Sequence, residues 1–93
     1  MSLLLSPVEL AGLSLENRVV LSPMCMYEVK KEDGIATPFH FIHYGARALS
    51  KVGLLIIEST AVEADGRITK NDLGLWNEAQ QVELSKLVAL LHG

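Results

Sequence analysis

The run Leu54-Leu55-Ile56-Ile57 is apolar at every position rather than at alternate ones. A strand with one face in water alternates apolar and polar residues; a parallel strand roofed on both faces has no polar side to show. The run therefore predicts a buried parallel strand with cover above and below it. It changes abruptly to Glu58-Ser59-Thr60, a polar end at the carboxyl edge of that strand.

The neighbouring segments supply the partners such a strand needs. Val8-Glu9-Leu10 and Leu13-Ser14-Leu15 alternate around Ala11-Gly12, the pattern of a short hairpin whose glycine gives the permissive turn dihedral. Val19-Val20-Leu21 is β-branched and stops at Ser22-Pro23, because proline cannot donate to a ladder and restricts the residue before it. A loop over about 24–36 carries Lys30, Lys31, Glu32, Asp33 and Gly34, a mixed-sign cluster expected to form a solvated turn. Thr37-Pro38 then reads as an N-cap and first helical position. From there Phe39, Ile42, Ala46 and Leu49 form an apolar stripe predicted to face the sheet, ending near Lys51-Val52-Gly53. After a turn at Asp65-Gly66, Asn77 and Gln80 form a capping box, and Leu84, Leu87, Val88 and Leu91 give the second helix its stripe.

The order is hairpin, strand, helix, strand, helix, the opening of a parallel α/β fold with right-handed crossovers. Two parallel strands leave both edges open, and two helices cannot roof both faces. A (β/α)8 barrel takes roughly 250 residues, so the expected fold class is α/β, the first βαβα portion, with an N-terminal hairpin, of a TIM barrel. Residues 1–93 would be the N-terminal part of that single domain.

Composition removes several function classes. Eight Lys and Arg stand against eleven Asp and Glu, with no basic cluster interleaved with aromatics, so no nucleic-acid footprint is present. No apolar stretch approaches the roughly 20 residues that cross a bilayer, and the start of the chain has neither the basic region nor the long apolar region of a signal peptide. The single cysteine, Cys25, allows no internal disulfide and suits a reducing, cytoplasmic setting. Neither a membrane nor a nucleic-acid partner is expected.

In parallel α/β folds ligands gather at the carboxyl ends of the strands. Two segments sit there: Ser22-Pro23-Met24-Cys25-Met26-Tyr27 and Glu58-Ser59-Thr60. A small polar residue, a proline-fixed backbone, a thiol and a phenol within six positions suit a flat, polarizable ligand with hydrogen-bonding edges.

The stretch Asn17 to Tyr27 (NRVVLSPMCMY) resembles the opening of the Old Yellow Enzyme family, and its cysteine points to the bacterial thermophilic-like subclass. The likeness continues through His40-Phe41-Ile42-His43-Tyr44-Gly45-Ala46-Arg47-Ala48, Val52 to Glu58, Gly66-Arg67-Ile68-Thr69 and Asp72-Leu73-Gly74-Leu75-Trp76, nearly the whole chain in order. It implies an FMN-dependent ene-reductase: NAD(P)H reduces the flavin, which passes hydride to the C=C bond of an α,β-unsaturated carbonyl compound. Carried over by position, Ser22, Pro23, Met24 and Ser59 are expected to contact the flavin. Cys25 would lie beside the reactive edge, both as a flavin contact and as a catalytic residue that tunes its potential. Tyr27 would be a catalytic and substrate-binding residue that hydrogen-bonds the substrate carbonyl. The resemblance implies a homo-oligomer when complete. The family's pyrimidine-edge glutamine, histidine pair, proton-donating tyrosine, N1 arginine and late phosphate site have no counterpart in these 93 residues, so the isolated chain is expected to lack activity.

The remaining polar residues read more simply. His40 and His43 are three apart on the first helix, but no third ligand is evident and barrel helices face away from the site, so no metal is expected. Arg47 and Arg67 suit pinning of loops and helix ends. Glu58 is a lone carboxylate, weak as a general base. Two alternatives stand beside the flavin enzyme. One is a non-catalytic structural or interaction fragment using its open edges. The other is a different phosphate-binding barrel enzyme, whose phosphate loop would come late in the chain.

Overall fold

The structure, a computed structural model, describes residues 2–93. Strands β1 (Val8–Leu10) and β2 (Leu13–Leu15) form the antiparallel hairpin, with Val8 opposite Leu15 and Leu10 opposite Leu13. Its turn places Ala11 at φ +50° and Gly12 at φ +87°, the paired left-handed conformation that matches strand twist in two-residue hairpins. Only Leu15 is buried; Leu10 and Leu13 are exposed.

Strand β3 (Val20–Leu21) pairs in parallel with β4 (Leu54–Leu55), joined through helix α1 (Pro38–Leu49). Strand β5 (Thr60–Ala61) then pairs in parallel with β6 (Leu73–Gly74), and helix α2 (Glu78–His92) follows. The β5–β6 ladder has no alternating or continuous apolar signature and is absent from the expected order. It forms because Leu73 and Ala61 are buried and because Arg67 ties the intervening loop together, donating to the carbonyls of Ala64, Lys70 and Glu32 while its guanidinium lies 5.2 Å from the Trp76 ring. That is the loop-pinning role expected of Arg67.

The expected start of α1 holds, with Thr37 extended as N-cap and Pro38 in the first turn. The expected inner stripe does not. Ile42 is 73% and Leu49 85% exposed, and Ala46 is exposed as well. The inward positions are instead His40 and Tyr44, four apart and hence on one face. Helical periodicity alone cannot tell which of two part-apolar faces meets the sheet; the polar face wins because its groups find partners beneath it.

The loop after β3 also departs from a solvated turn. Val29 and Ala36 are core residues, packed with Tyr44, Leu73, Leu84 and Leu87. Gly34 is buried beneath Gln80 and Trp76. Of the mixed-sign cluster, Lys30, Lys31 and Glu32 stay in water, while Asp33 is half-buried.

In α2 the Asn77–Gln80 capping box forms as expected, and Leu84 and Leu87 are buried, whereas Val88 is exposed. The run 54–57 is half-buried rather than roofed, and Ile56 is 42% exposed. A cleft lined by Leu15, Ala48, Leu55, Ile57, Val88 and Leu91 opens beside it. The radius of gyration is 14.5 Å, above the ~12 Å of a compact domain of this length. Such a slab with an open apolar flank is one sector of a barrel.

Candidate functional site at the strand mouths

The register of β3 and β4 sets the site. Because Leu21 lies opposite Leu55 and the strands run in parallel, Ser22 and the segment after Leu55 leave the sheet at the same, carboxyl, edge. From Ser22 to Glu28 the chain runs without secondary structure, and among the described residues none of its backbone groups joins a backbone–backbone hydrogen bond. Ser22, Pro23, Met24, Tyr27 and Ser59 are exposed; Cys25 and Met26 are half-buried. An edge whose amides and carbonyls are not tied to other backbone, rimmed by a thioether, a thiol and a phenol, fits the rim of a planar heteroaromatic ring.

Within the β3 mouth, Cys25 and Tyr27 are neighbours. The Cys25 thiol, by its charge when ionised, holds the Tyr27 phenol above its ordinary range, with smaller contributions from desolvation, a hydrogen bond between the two side chains, and Asp72. Tyr27 also adopts φ +55°. For an aromatic residue this left-handed backbone costs roughly 1–2 kcal/mol, a strain expected where a side chain is aimed by its loop.

Beneath the two mouths lies a buried cluster that sequence reasoning missed. The Tyr44 hydroxyl donates to Glu58 Oε2 at 2.5 Å and accepts from the Glu58 backbone N–H at 2.9 Å. His40 Nδ1 accepts from the Thr37 backbone N–H at 2.9 Å, so the neutral ring carries its proton on Nε2. That atom faces Glu58 Oε1 at 3.6 Å, with both side chains buried. Burial pushes the Glu58 carboxyl up, yet the facing His40 ring, the hydrogen bond from Tyr44 and the Met26 backbone outweigh it, leaving the group below the usual glutamate range. Burial and the Glu58 partner drive Tyr44 well above the usual phenol range, and Cys25 is close enough to contribute.

Two expectations are corrected here. Glu58 is not a lone carboxylate, and His40 faces inward, because its position one turn before Tyr44 places both over the end of β4. The i, i+4 spacing of His40 and Tyr44, both polar, was the legible signal. His43 lies apart, stacked on Phe39 with centroids 5.3 Å away, and burial followed by Arg47 keeps its imidazole below the ordinary range. Arg47 is exposed. Among the described residues no group of three or more His, Cys, Asp or Glu side chains is arranged to hold a metal, and no helix is long and apolar enough to cross a membrane.

Fold and strand register together define the amino-terminal sector of a parallel (β/α)8 barrel. The chain belongs to the NADH:flavin oxidoreductase / NADH oxidase family, whose model matches residues 3–93, and FMN is the cofactor of that family. It is 55% identical over 92 residues to an NADPH dehydrogenase of Listeria monocytogenes serovar 1/2a, covering 99% of this chain and 27% of that one. To an NADPH dehydrogenase of Bacillus cytotoxicus it is 50% identical over 88 residues, covering 95% of this chain and 25% of the relative. Among solved structures, morphinone reductase superposes with a TM-score of 0.86 at 31% identity, over 96% of this chain and 23% of that one. An Old Yellow Enzyme from a Pichia species superposes at 0.89 and 27% identity, over 97% and 23%. The chain thus spans about a quarter of the length of these relatives.

Proposed function

We propose that these residues form the first quarter of an FMN-dependent NAD(P)H oxidoreductase that reduces the C=C bond of α,β-unsaturated carbonyl compounds. The observation that carries this reading is the largely exposed run Ser22–Tyr27, free of backbone–backbone hydrogen bonds, beside Ser59 at the shared carboxyl edge of β3 and β4. Residues 1–93 would be part of one FMN-binding barrel domain in a reducing, cytoplasmic setting, with homo-oligomers when complete. The NADPH dehydrogenase relatives and a morphinone reductase complex with tetrahydroNAD support a nicotinamide as the electron source.

In this reading Ser22, Pro23, Met24 and Ser59 hold the flavin by backbone groups and short side chains, and Cys25 contacts its edge. Bound FMN supplies the hydride chemistry. Tyr27 donates its hydroxyl proton as a hydrogen bond to the substrate carbonyl, polarising the conjugated double bond, as a neutral phenol can near neutral pH. The thiol packs as a soft, polarizable surface beside the ring.

A graft tests the reading: this chain replaces the aligned quarter of the Listeria NADPH dehydrogenase, so that the barrel is complete. The expected protein is yellow, binds FMN stoichiometrically and oxidises NADPH when cyclohexenone is supplied. A folded graft that stays colourless when FMN is added overturns it, as does a yellow graft that reduces no enone.

A further inference from the structure

The chain changes ladder partner between Leu55 and Thr60: β4 pairs with β3, whereas β5 pairs with β6. Glu58 stands in that gap, where no strand can satisfy its backbone. Side chains do so instead. Tyr44 Oη accepts from the Glu58 N–H at 2.9 Å, and Thr60 Oγ1 donates to the Glu58 carbonyl at 3.0 Å. The carboxylate is held in turn by Tyr44, with His40 Nε2 facing it at 3.6 Å. That nitrogen is wholly buried and, among the described residues, is the buried side-chain polar atom without a hydrogen-bond partner. The residue after Glu58 is Ser59, and Met26 of the other mouth lies against the same carboxylate.

We propose that Tyr44 and His40 are positioning residues, which act through the buried Glu58 carboxylate to lock the β3 and β4 mouths in register for the flavin. A buried carboxylate that is clamped at its backbone and its side chain cannot rotate without stranding a charge. The clamp therefore fixes where Ser59 points and where the Met24–Met26 edge lies relative to it. The ionised carboxylate also places a fixed negative charge next to the residues assigned to the ring. This assignment rests on the flavin reading above.

The test uses the complete graft with Tyr44→Phe and, separately, Glu58→Gln, which keeps an acceptor for the Tyr44 hydroxyl and removes the charge. FMN affinity is read by fluorescence quenching, the preference for reduced over oxidised flavin by potentiometry, and apoprotein stability by thermal unfolding. Tyr44→Phe is expected to weaken FMN binding about tenfold, the effect of one hydrogen bond to a charged group. Glu58→Gln is expected to favour the electron-rich reduced flavin by about tenfold, equivalent to about 30 mV for a two-electron couple. A yellow graft whose variants lose only apoprotein stability, with FMN affinity and potential unchanged, overturns the assignment and leaves the flavin reading standing. A folded graft that binds no FMN overturns both. Should Tyr44→Phe fail to fold, the Glu58→Gln potential decides alone.

Discussion

Gln80 reaches back 47 positions to donate from Nε2 to the carbonyl of Asp33 at 2.9 Å. Its Oε1 meanwhile accepts from the backbone N–H groups of Trp76 at 2.6 Å and Asn77 at 3.2 Å. One fully buried side chain thus caps α2 and fastens the loop that follows the β3 mouth.

Replacing Gln80 with Ala strands the Asp33 carbonyl and two backbone donors at once. Stability should fall by about 2–4 kcal/mol, combining loss of a cap with unsatisfied buried polar groups. Urea unfolding of the complete graft measures it. A change below about 0.5 kcal/mol would mean that water replaces these bonds without loss.

Three glycines should respond in a definite order. At Gly53 an added Cβ would lie 2.2 Å from the Asn17 backbone oxygen, where Asn17 already bridges the strands by donating to the Lys51 carbonyl at 2.8 Å. At Gly34 it would meet Gln80 Nε2 at 2.5 Å, with φ at +69°. At Gly12 nothing lies within 4 Å and only φ, +87°, resists. Alanine at Gly12 should cost about 1 kcal/mol, and at Gly53 and Gly34 several times more. Thermal unfolding of the three variants ranks them.

The Glu58 carboxyl is held below its ordinary value of about 4.5 in the folded chain. A depressed folded value means that the unfolded chain binds the proton more tightly. The contribution is complete above the unfolded value and is lost as pH falls through the folded one. Acid unfolding below about pH 4.5 should therefore be shallower in Glu58→Gln than in the parent. Tyr44 behaves oppositely: its value is raised, so its contribution is complete below about pH 10 and declines at more alkaline pH, and Tyr44→Phe should abolish that alkaline loss. Unfolding free energies across pH 2–11 check both signs.

Cys25→Ala should move the FMN midpoint by tens of millivolts with the fold intact, since about 30 mV corresponds to ~1.4 kcal/mol in a two-electron couple. Tyr27→Phe should leave the potential nearly unchanged and weaken phenolic or enone ligands instead. Potentiometric and ligand titrations of the two variants separate these effects. An unmoved midpoint in Cys25→Ala would return the thiol to a packing role.

Local chemistry alone determined much of this protein. The Ala11-Gly12 turn, the strand stop at Ser22-Pro23, the Thr37-Pro38 helix start and the Asn77–Gln80 box each depend on residues within a few positions of one another, so nearby sequence suffices to set them. The polar ends of both parallel strands were legible for the same reason, because an apolar run must stop where the sheet stops. Tertiary structure decided which face of α1 turns inward. Ile42 and Leu49 carry the stronger apolar pattern, yet His40 and Tyr44 are buried, because Glu58, 14 residues beyond Tyr44, offers a carboxylate and a backbone N–H to the Tyr44 hydroxyl and a carboxylate oxygen facing the His40 ring. A short ladder such as β5–β6 is likewise decided by what packs against it, since two residues per strand carry too little pattern to be read. Burial of a polar group is favourable only when its partner is already in place, and that partner is a property of the assembled fold.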